Sequence, residues 1–538
     1  MFTLNVANSK QSNYIYFLIL LCLIIFFTGL GEYGLLARDE PRYCHAAYEM
    51  IQNGDFIVPQ FNYEPRFDKP ILYYWLIALS YKLFGINEFT SRLPSACCAI
   101  LLIISTYYIG KKLFDLNTGV FSAVILATSA EYLFIGRRAA TDITLCLFVS
   151  LALYTILLAH NSNNSKIKIL WFISSGLCMG LGILTKGPIA IILPVGIFFI
   201  YLILTKKIDF SNIAFIILSI FISLVISLPW YAAIHITTGG EFTRAFFLEH
   251  NISRFTSVVG EHPGPPWFYI PIILGGFMPW TLFFIPAIYL NVKNFTKGNL
   301  NPNIVFMSTW AIFVFIFFSL STTKLATYIV LLFPPLSLIT AHWLNNHINL
   351  KKIKQLLLTI NILLACVVPF VLVYISNSNL NQHAKEDLQK GVLIYLILYI
   401  LISISILVFS KKSLTLLFSF ASIYGVTAAA LLTISLQTYY NYYYNDLKQH
   451  ALELQKRSIK EAISFNTYQP ILVFYSHAHI NFEHKAKQIK LIKSAVQQNK
   501  ELYVVINKSN YNNNKFISNN LEIASKGNRY HLLKTRTN

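Results

Sequence analysis

The chain has 538 residues, of which 55% are hydrophobic and only 12% charged, with a mean hydropathy of +0.54. Soluble globular domains carry about 25% charged residues, so this composition excludes that class and defines a polytopic membrane protein. The formal net charge of +20 does not point to nucleic acid, because the lysines fall in short pairs between apolar segments, as in a membrane topology signal.

The first apolar run, Tyr14 to Thr28, follows a single lysine and precedes no small-residue cleavage site. It reads as an uncleaved signal anchor with its N-terminal side cytoplasmic. Further runs lie near 93–110, 118–136, 141–160, 169–185, 188–205, 211–234, 267–290, 304–321, 325–344, 355–375, 391–409 and 414–436. At the spanning length of about 17 to 25 residues, they predict about thirteen transmembrane helices.

The run from Pro70 to Phe84 is short, aromatic and interrupted by Lys82. If it does not span, Lys111–Lys112, Lys166 and Lys168, Lys206–Lys207, Lys293 and Lys297, Lys351 to Lys354 and Lys411–Lys412 all join Lys10 in the cytoplasm. If it spans, every one of those groups is exported, against the positive-inside rule. The segment is therefore read as a juxtamembrane helix on the outer face. The mixed-charge loops at 31–92, Arg137 to Asp142, Lys186, 235–266 and Lys324 then all meet outside.

After Leu436 the composition changes: five tyrosines between Tyr439 and Tyr444 form an aromatic belt, and a polar tail of soluble character follows. Helices are expected at Asn445 to Ile463 and Lys485 to Gln498, and strands at Ile471 to Tyr475 and Glu501 to Ile506. The reading is a transmembrane domain at 1–438 and a small outer α/β domain at 439–538. From Asn445 onward 15 Lys and Arg face 6 Asp and Glu, a balance of +9 that suits either an anionic lipid surface or solubility alone. Six of the seven cysteines lie in apolar runs and Cys44 in a loop, so neither a disulfide framework nor a CxxC metal site follows.

Five outer clusters carry the chemistry. In Arg38-Asp39-Glu40-Pro41-Arg42-Tyr43, Asp39 is flanked by cations that keep it ionised, and ionisable groups packed against a membrane face are usually site residues. An Asp–Arg pair that only folds the loop is the plainer reading. In Arg66-Phe67-Asp68-Lys69-Pro70, Lys69 suits a phosphate and Asp68 suits a cation or a helix cap. Arg137-Arg138 with Thr141-Asp142 forms the third cluster, and Glu249-His250 with Arg254, followed by His262, the fourth. The fifth combines Thr185-Lys186-Gly187-Pro188 with Lys324-Leu-Ala-Thr-Tyr328. Together they suit phosphate binding and group transfer.

Ala37-Arg38-Asp39-Glu40-Pro41-Arg42-Tyr43, Phe67-Asp68-Lys69-Pro70, Asp142, Thr185-Lys186-Gly187-Pro188 and Lys324-Leu-Ala-Thr-Tyr328 stand in the order and spacing of a known family over roughly residues 14 to 436. The chain resembles the lipid A aminoarabinose transferase (ArnT-like) family, a branch of the protein O-mannosyltransferase-like superfamily with the GT-C fold. The resemblance implies a monomeric, multi-pass enzyme of the bacterial inner membrane. Such an enzyme takes aminoarabinose, or a related aminosugar or hexose, from undecaprenyl phosphate and transfers it to lipid A on the periplasmic face. It implies Asp39 and Asp142 as catalytic carboxylates, with Arg42 and Tyr43 shaping the loop of Asp39. Lys69, Arg254, Tyr328, Lys324, Lys186 and Arg138 would hold the polyprenyl phosphate. Asp68 and His250, with His262 as substitute, would ligate a divalent metal such as zinc. The family more often has Glu at Asp68 and a second Pro at Ile71. A transferase to a protein hydroxyl or another glycolipid is the nearest rival. A lipid-linked-sugar transporter is disfavoured because its charges belong near the midplane, often with internal repeats.

Overall fold

Residues 2–36, 39–253, 263–298, 301–347, 382–409 and 413–536, with scattered positions from 349 to 376, are described by the computed structural model. Apolar sequence folds as helix here because a helix satisfies its own backbone groups where lipid offers no partner. The chain opens with α1 (Phe2–Phe27), α2 (Asp39–Asn53), a short β1–β2 ribbon (Gln60–Phe61 with Glu64–Pro65) and α3 (Leu72–Phe84). Then follow α4 (Glu88–Leu113), α5 (Leu116–Thr128), α6 (Ala130–Gly136), α7 (Thr141–His160), α8 (Ser165–Lys186), α9 (Ile189–Leu204) and α10 (Phe210–Thr237).

Among the described residues seven helices are long and apolar enough to cross a membrane, or up to nine if each of two bent pairs is one span. The first pair is α5 with α6, bent by 67°; the second joins Tyr269–Gly276 to Thr281–Thr296 at 117°. Pro279 lies in the second break, where it supplies no backbone donor. Shorter apolar helices at Tyr14–Phe27, Ile189–Leu204 and Leu388–Ile404 account for three further expected runs. The run at 355–375 lies largely outside the described residues.

The helix bounds alternate. Lys111–Lys112, Lys166 and Lys168, and Lys206–Lys207 lie at one set of helix ends, whereas Asp142 and Lys186 lie at the other. α3 has only 13 residues, about 20 Å, and does not interrupt this alternation. The interval 31–92 is not simply a loop: α2 begins at Asp39, so Arg42 and Tyr43 lie on a helix one turn after it, and Cys44 is buried within that helix.

Glu40 anchors α2. It is fully buried and pairs with Arg92 of α4 through Nε–Oε1 and Nη2–Oε2 contacts of 3.1 and 2.8 Å. Arg92 also donates to the carbonyls of Leu30, Tyr33 and Gly34, and Glu40 accepts from the Leu36 and Ala139 amides. One buried pair thus ties the start of α2 to α4 and to the α6–α7 connection. Arg137, grouped by sequence with the site, turns instead into the bundle, where it donates to the Thr28 carbonyl and the Thr433 hydroxyl.

The C-terminal part follows a helix over Ser413–Tyr443. Its five-stranded sheet has the order β4-β3-β5-β7-β6, with β3 (Glu461–Ser464), β4 (His479–Asn481), β5 (Tyr503–Asn507), β6 (Leu521–Lys526) and β7 (Tyr530–Thr535). β3 pairs in parallel with β4 and β5, whereas β7 runs antiparallel to β5 and β6. Two sequence expectations need correction. The first helix stops at Lys456, leaving room for β3. Ile471 to Tyr475 lies in a buried helix, Pro470–Ser476, opened by Pro470 in its first turn; a short continuous apolar run has no periodicity to separate the two states. This domain docks on the segment between α1 and α4. Asn62 exchanges two hydrogen bonds with Ile480, and Tyr63 donates to the His477 carbonyl. Tyr475 and Lys448 both donate to Glu88.

Candidate active site

A cavity of about 790 Å³ opens at the helix ends opposite the lysine pairs. Asp39, Arg42 and Tyr43 enter it from α2, Asp68 and Lys69 from the segment before α3, Arg138 from the α6–α7 connection, Asp142 from the start of α7, Lys186 from the end of α8, and Tyr328 from a 3-10 turn at Ala326–Leu332. Five separated segments, drawn from four of the five sequence clusters, therefore meet in one space.

The three aspartates are each tied to a cation. Asp39 pairs with Arg42, one helical turn away. Arg66 grips Asp68 with both its Nε and Nη2, at 2.6 and 2.8 Å. Lys69, instead of pairing with that carboxylate, donates to the Asp68 backbone carbonyl at 2.9 Å. Burial alone would raise the Asp68 carboxyl, but Arg66, with Lys69 and Arg42 behind it, holds it far below the usual carboxylate range. Lys186 reaches Asp142 at 2.6 Å, joining α7 to α8, and lies 4.7 Å from the centre of the Tyr328 ring. Gly187 permits this geometry: its φ of +89° ends α8 immediately after the lysine, a backbone state suited to glycine.

Arg138 lines the cavity and meets no carboxylate at ion-pair distance among the described residues; its Nε has no hydrogen-bond partner there. The cavity as a whole carries five cationic and four anionic side chains. A dianionic group entering it finds fixed positive partners, which is the electrostatic arrangement that stabilises a phosphate.

The remaining expectations fall elsewhere. Lys324 does not line the cavity; its ammonium donates to the carbonyls of Ser319 and Ser321 at 2.8 and 2.7 Å. Arg254 and His262 lie outside the described residues, and His250 lies on a π-helical segment, Ala245–Ile252, with its side chain outside them. Asp68 does not fit a divalent cation: both its oxygens are held by Arg66, and Arg42 and Lys69 add positive charge around it. No group of three or more His, Cys, Asp or Glu stands together among the described residues. The sequence reading missed Arg66, which also stacks 4.9 Å over Tyr43; its position two residues before Asp68 was the only signal. It also missed Tyr468, which reaches the cavity from the C-terminal domain.

The family model for dolichyl-phosphate-mannose-protein mannosyltransferases matches residues 68–232. The fold matches ArnT from Cupriavidus metallidurans bound to undecaprenyl phosphate, with a TM-score of 0.86 over 97% of this chain and 98% of that one, at 20% identity. The archaeal oligosaccharyltransferase AglB from Archaeoglobus fulgidus matches with a TM-score of 0.57 at 12% identity, over 93% of this chain and 70% of that one. The fold is thus shared with ArnT and AglB, and here it holds a charged cavity at one end of an apolar helix bundle.

Among curated relatives, the undecaprenyl phosphate-α-4-amino-4-deoxy-L-arabinose arabinosyl transferase of Photorhabdus laumondii is 30% identical over 353 residues, 64% of this chain and 63% of the relative. A second, from Pseudomonas fluorescens, is 30% identical over 66% of this chain and 64% of its own length. The chain thus spans somewhat under two thirds of the relatives it matches. The resemblance read from the motifs is borne out: the chain is similar in sequence to these arabinosyl transferases and in fold to ArnT.

Proposed function

We propose that this chain is an integral membrane glycosyltransferase that moves a sugar, aminoarabinose or a related aminosugar or hexose, from undecaprenyl phosphate to lipid A. The observation that carries the reading is the cavity in which Asp39, Lys69, Arg138, Asp142, Lys186 and Tyr328 converge at the end of the bundle away from the lysine pairs. The printed activity of the curated relatives and the undecaprenyl phosphate bound by the C. metallidurans structure support the donor class. The proposal extends to about thirteen spans, a monomer in the bacterial inner membrane, and a cavity and C-terminal domain facing the periplasm, by the positive-inside rule.

The chemistry follows from the leaving group. As the glycosidic bond to the polyprenyl phosphate breaks, negative charge grows on the phosphate, and preorganised cations there lower the barrier. Lys69, Arg138 and Lys186 stand in that cavity, and Arg254 is proposed to join them. A lipid A phosphate is already an oxyanion, so for that acceptor Asp39 positions and stabilises, whereas a hydroxyl acceptor would need it as a base. The Asp142–Lys186 pair keeps the lysine oriented. The resemblance's metal is given no role, because Asp68 is saturated by Arg66.

The test is mass spectrometry of lipid A from cells with the gene, without it, and with Asp39→Asn. Loss of the sugar addition in the deletion and in Asp39→Asn, at normal protein level, is expected. Unchanged lipid A in the deletion would move the acceptor to a glycoprotein or another glycolipid, and full activity of Asp39→Asn would remove that residue from the mechanism.

A further inference from the structure

Among the described residues lining the cavity, Tyr468 alone comes from the C-terminal domain. It stands on the connection between β3 and the helix Pro470–Ser476, and its side chain is 36% exposed. The backbone around it is fastened from both sides. Asn466, at a φ of +53°, donates its amide to the Gln488 Oε1 at 2.9 Å. Gln488 is fully buried and donates in turn to the carbonyls of Ser464 and Asn481. The Ser464 hydroxyl donates to the Thr467 carbonyl at 2.8 Å, and Gln469 reaches the Tyr530 hydroxyl at 3.2 Å. A buried amide bonded to both Ser464 and Asn466 ties the two ends of this turn together, and its bond to Asn481 fixes the turn to β4. The ring itself leans on Phe482, with centroids 4.7 Å apart, which restricts its rotamer.

The cavity combines charges suited to phosphate with aromatic rings from the bundle side, Tyr43, Phe61, Phe67 and Tyr328. Tyr468 adds a ring with a hydroxyl from the opposite, C-terminal side, and it lines the cavity together with Arg42, the partner of Asp39. A pyranose ring has the matching character: one face of C–H bonds to lie on an aromatic ring, and a rim of hydroxyls to meet polar tips.

Resting on the glycosyl-transfer reading above, we propose that the C-terminal domain completes the active site by presenting Tyr468 as a stacking and specificity-determining surface for a pyranose ring beside the Asp39–Arg42 pair. The ring belongs either to the donor sugar or to the glucosamine backbone of the acceptor, two sources of one chemistry.

Binding of three probes to the full-length protein in detergent separates the possibilities: undecaprenyl phosphate, undecaprenyl phosphate carrying a pyranose, and lipid A. Tyr468→Ala is expected to weaken one sugar-bearing probe about tenfold, the scale of one aromatic stacking contact, and to leave bare undecaprenyl phosphate unchanged. Tyr468→Phe should keep most of the affinity and Tyr468→Leu should not. Which sugar-bearing probe weakens identifies donor or acceptor. Unchanged affinity for all three probes overturns the proposal, and so does an equal loss on bare undecaprenyl phosphate. Failure of the unsubstituted protein to bind undecaprenyl phosphate instead counts against the parent reading. The exposed position of Tyr468 leaves the fold intact, which a melting curve of each variant checks.

Discussion

Replacing Arg92 by Met tests whether α2, and with it Asp39, is held by the buried Glu40–Arg92 pair. Arg92 is fully buried and makes five hydrogen bonds, two to Glu40 and one each to the carbonyls of Leu30, Tyr33 and Gly34. Removing one partner of a buried ion pair costs about 3–5 kcal/mol, because the other charge stays behind without compensation. Even the lower figure raises the population of the locally opened state by about two decades. Glu40→Gln with Arg92→Met removes both charges and should recover a large part of the loss. The measurements are the apparent melting temperature in detergent and the affinity for undecaprenyl phosphate. The single variant should lose both, and the double variant should regain thermal stability. If Arg92→Met melts with the parent, or if the double variant is less stable than either single one, the pair does not anchor α2.

Glu40 adds a pH dependence. Burial raises its carboxyl, but Arg92 and then Arg138 reverse this and hold it below its ordinary 4.5. The folded state therefore binds fewer protons than the unfolded one, so the stability it contributes is present above pH 4.5 and is lost as pH falls below that value. His477, at the seam between the C-terminal domain and α2, is pushed down to about 4 by burial and then by His45, whose ring lies 6.0 Å away; Tyr48, Glu49, Tyr63 and His479 also face this seam. Docking of the domain is expected to weaken as pH falls from 6.5 towards 4, and His477→Phe should flatten that part of the pH–stability curve measured by limited proteolysis. Arg138→Ala should weaken undecaprenyl phosphate by about tenfold, the loss of one charge-assisted contact, and reduce the salt dependence of binding. Prolonged chelation is expected to leave transfer unchanged, since Asp68 is held by Arg66; loss of activity restored by zinc would refute that view. Gly187→Ala, at a φ of +89°, should destabilise the fold by roughly 1 kcal/mol or more and lower activity through Lys186.

Much of the site was legible because its chemistry is local in sequence. Asp39–Arg42 are one helical turn apart, and Lys186 precedes the Gly-Pro pair that ends its helix. Charge beside a membrane is costly enough to stand out in an apolar chain. Other partners were invisible for a physical reason. Arg66 or Lys69 could equally have paired with Asp68, and only the packed geometry gave the carboxylate to Arg66 and the backbone carbonyl to Lys69. Arg137 and Arg138 are neighbours, yet one is consumed inside the bundle and the other faces the cavity. Lys324 and Tyr328 diverge in the same way, because Lys324 precedes the 3-10 turn that holds Tyr328 and no shared helical face joins them.

By itself the sequence determined the membrane class and the ArnT-like resemblance, since hydropathy and short motifs report directly on lipid and on local backbone. The tertiary structure decided which cation answers which carboxylate, placed Tyr468 in the cavity some 400 residues after Asp39, and turned Glu40 from one charge of an exposed motif into the buried anchor of α2. Those choices depend on contacts between distant segments, and their energies exist only once packing has removed water from around the charges.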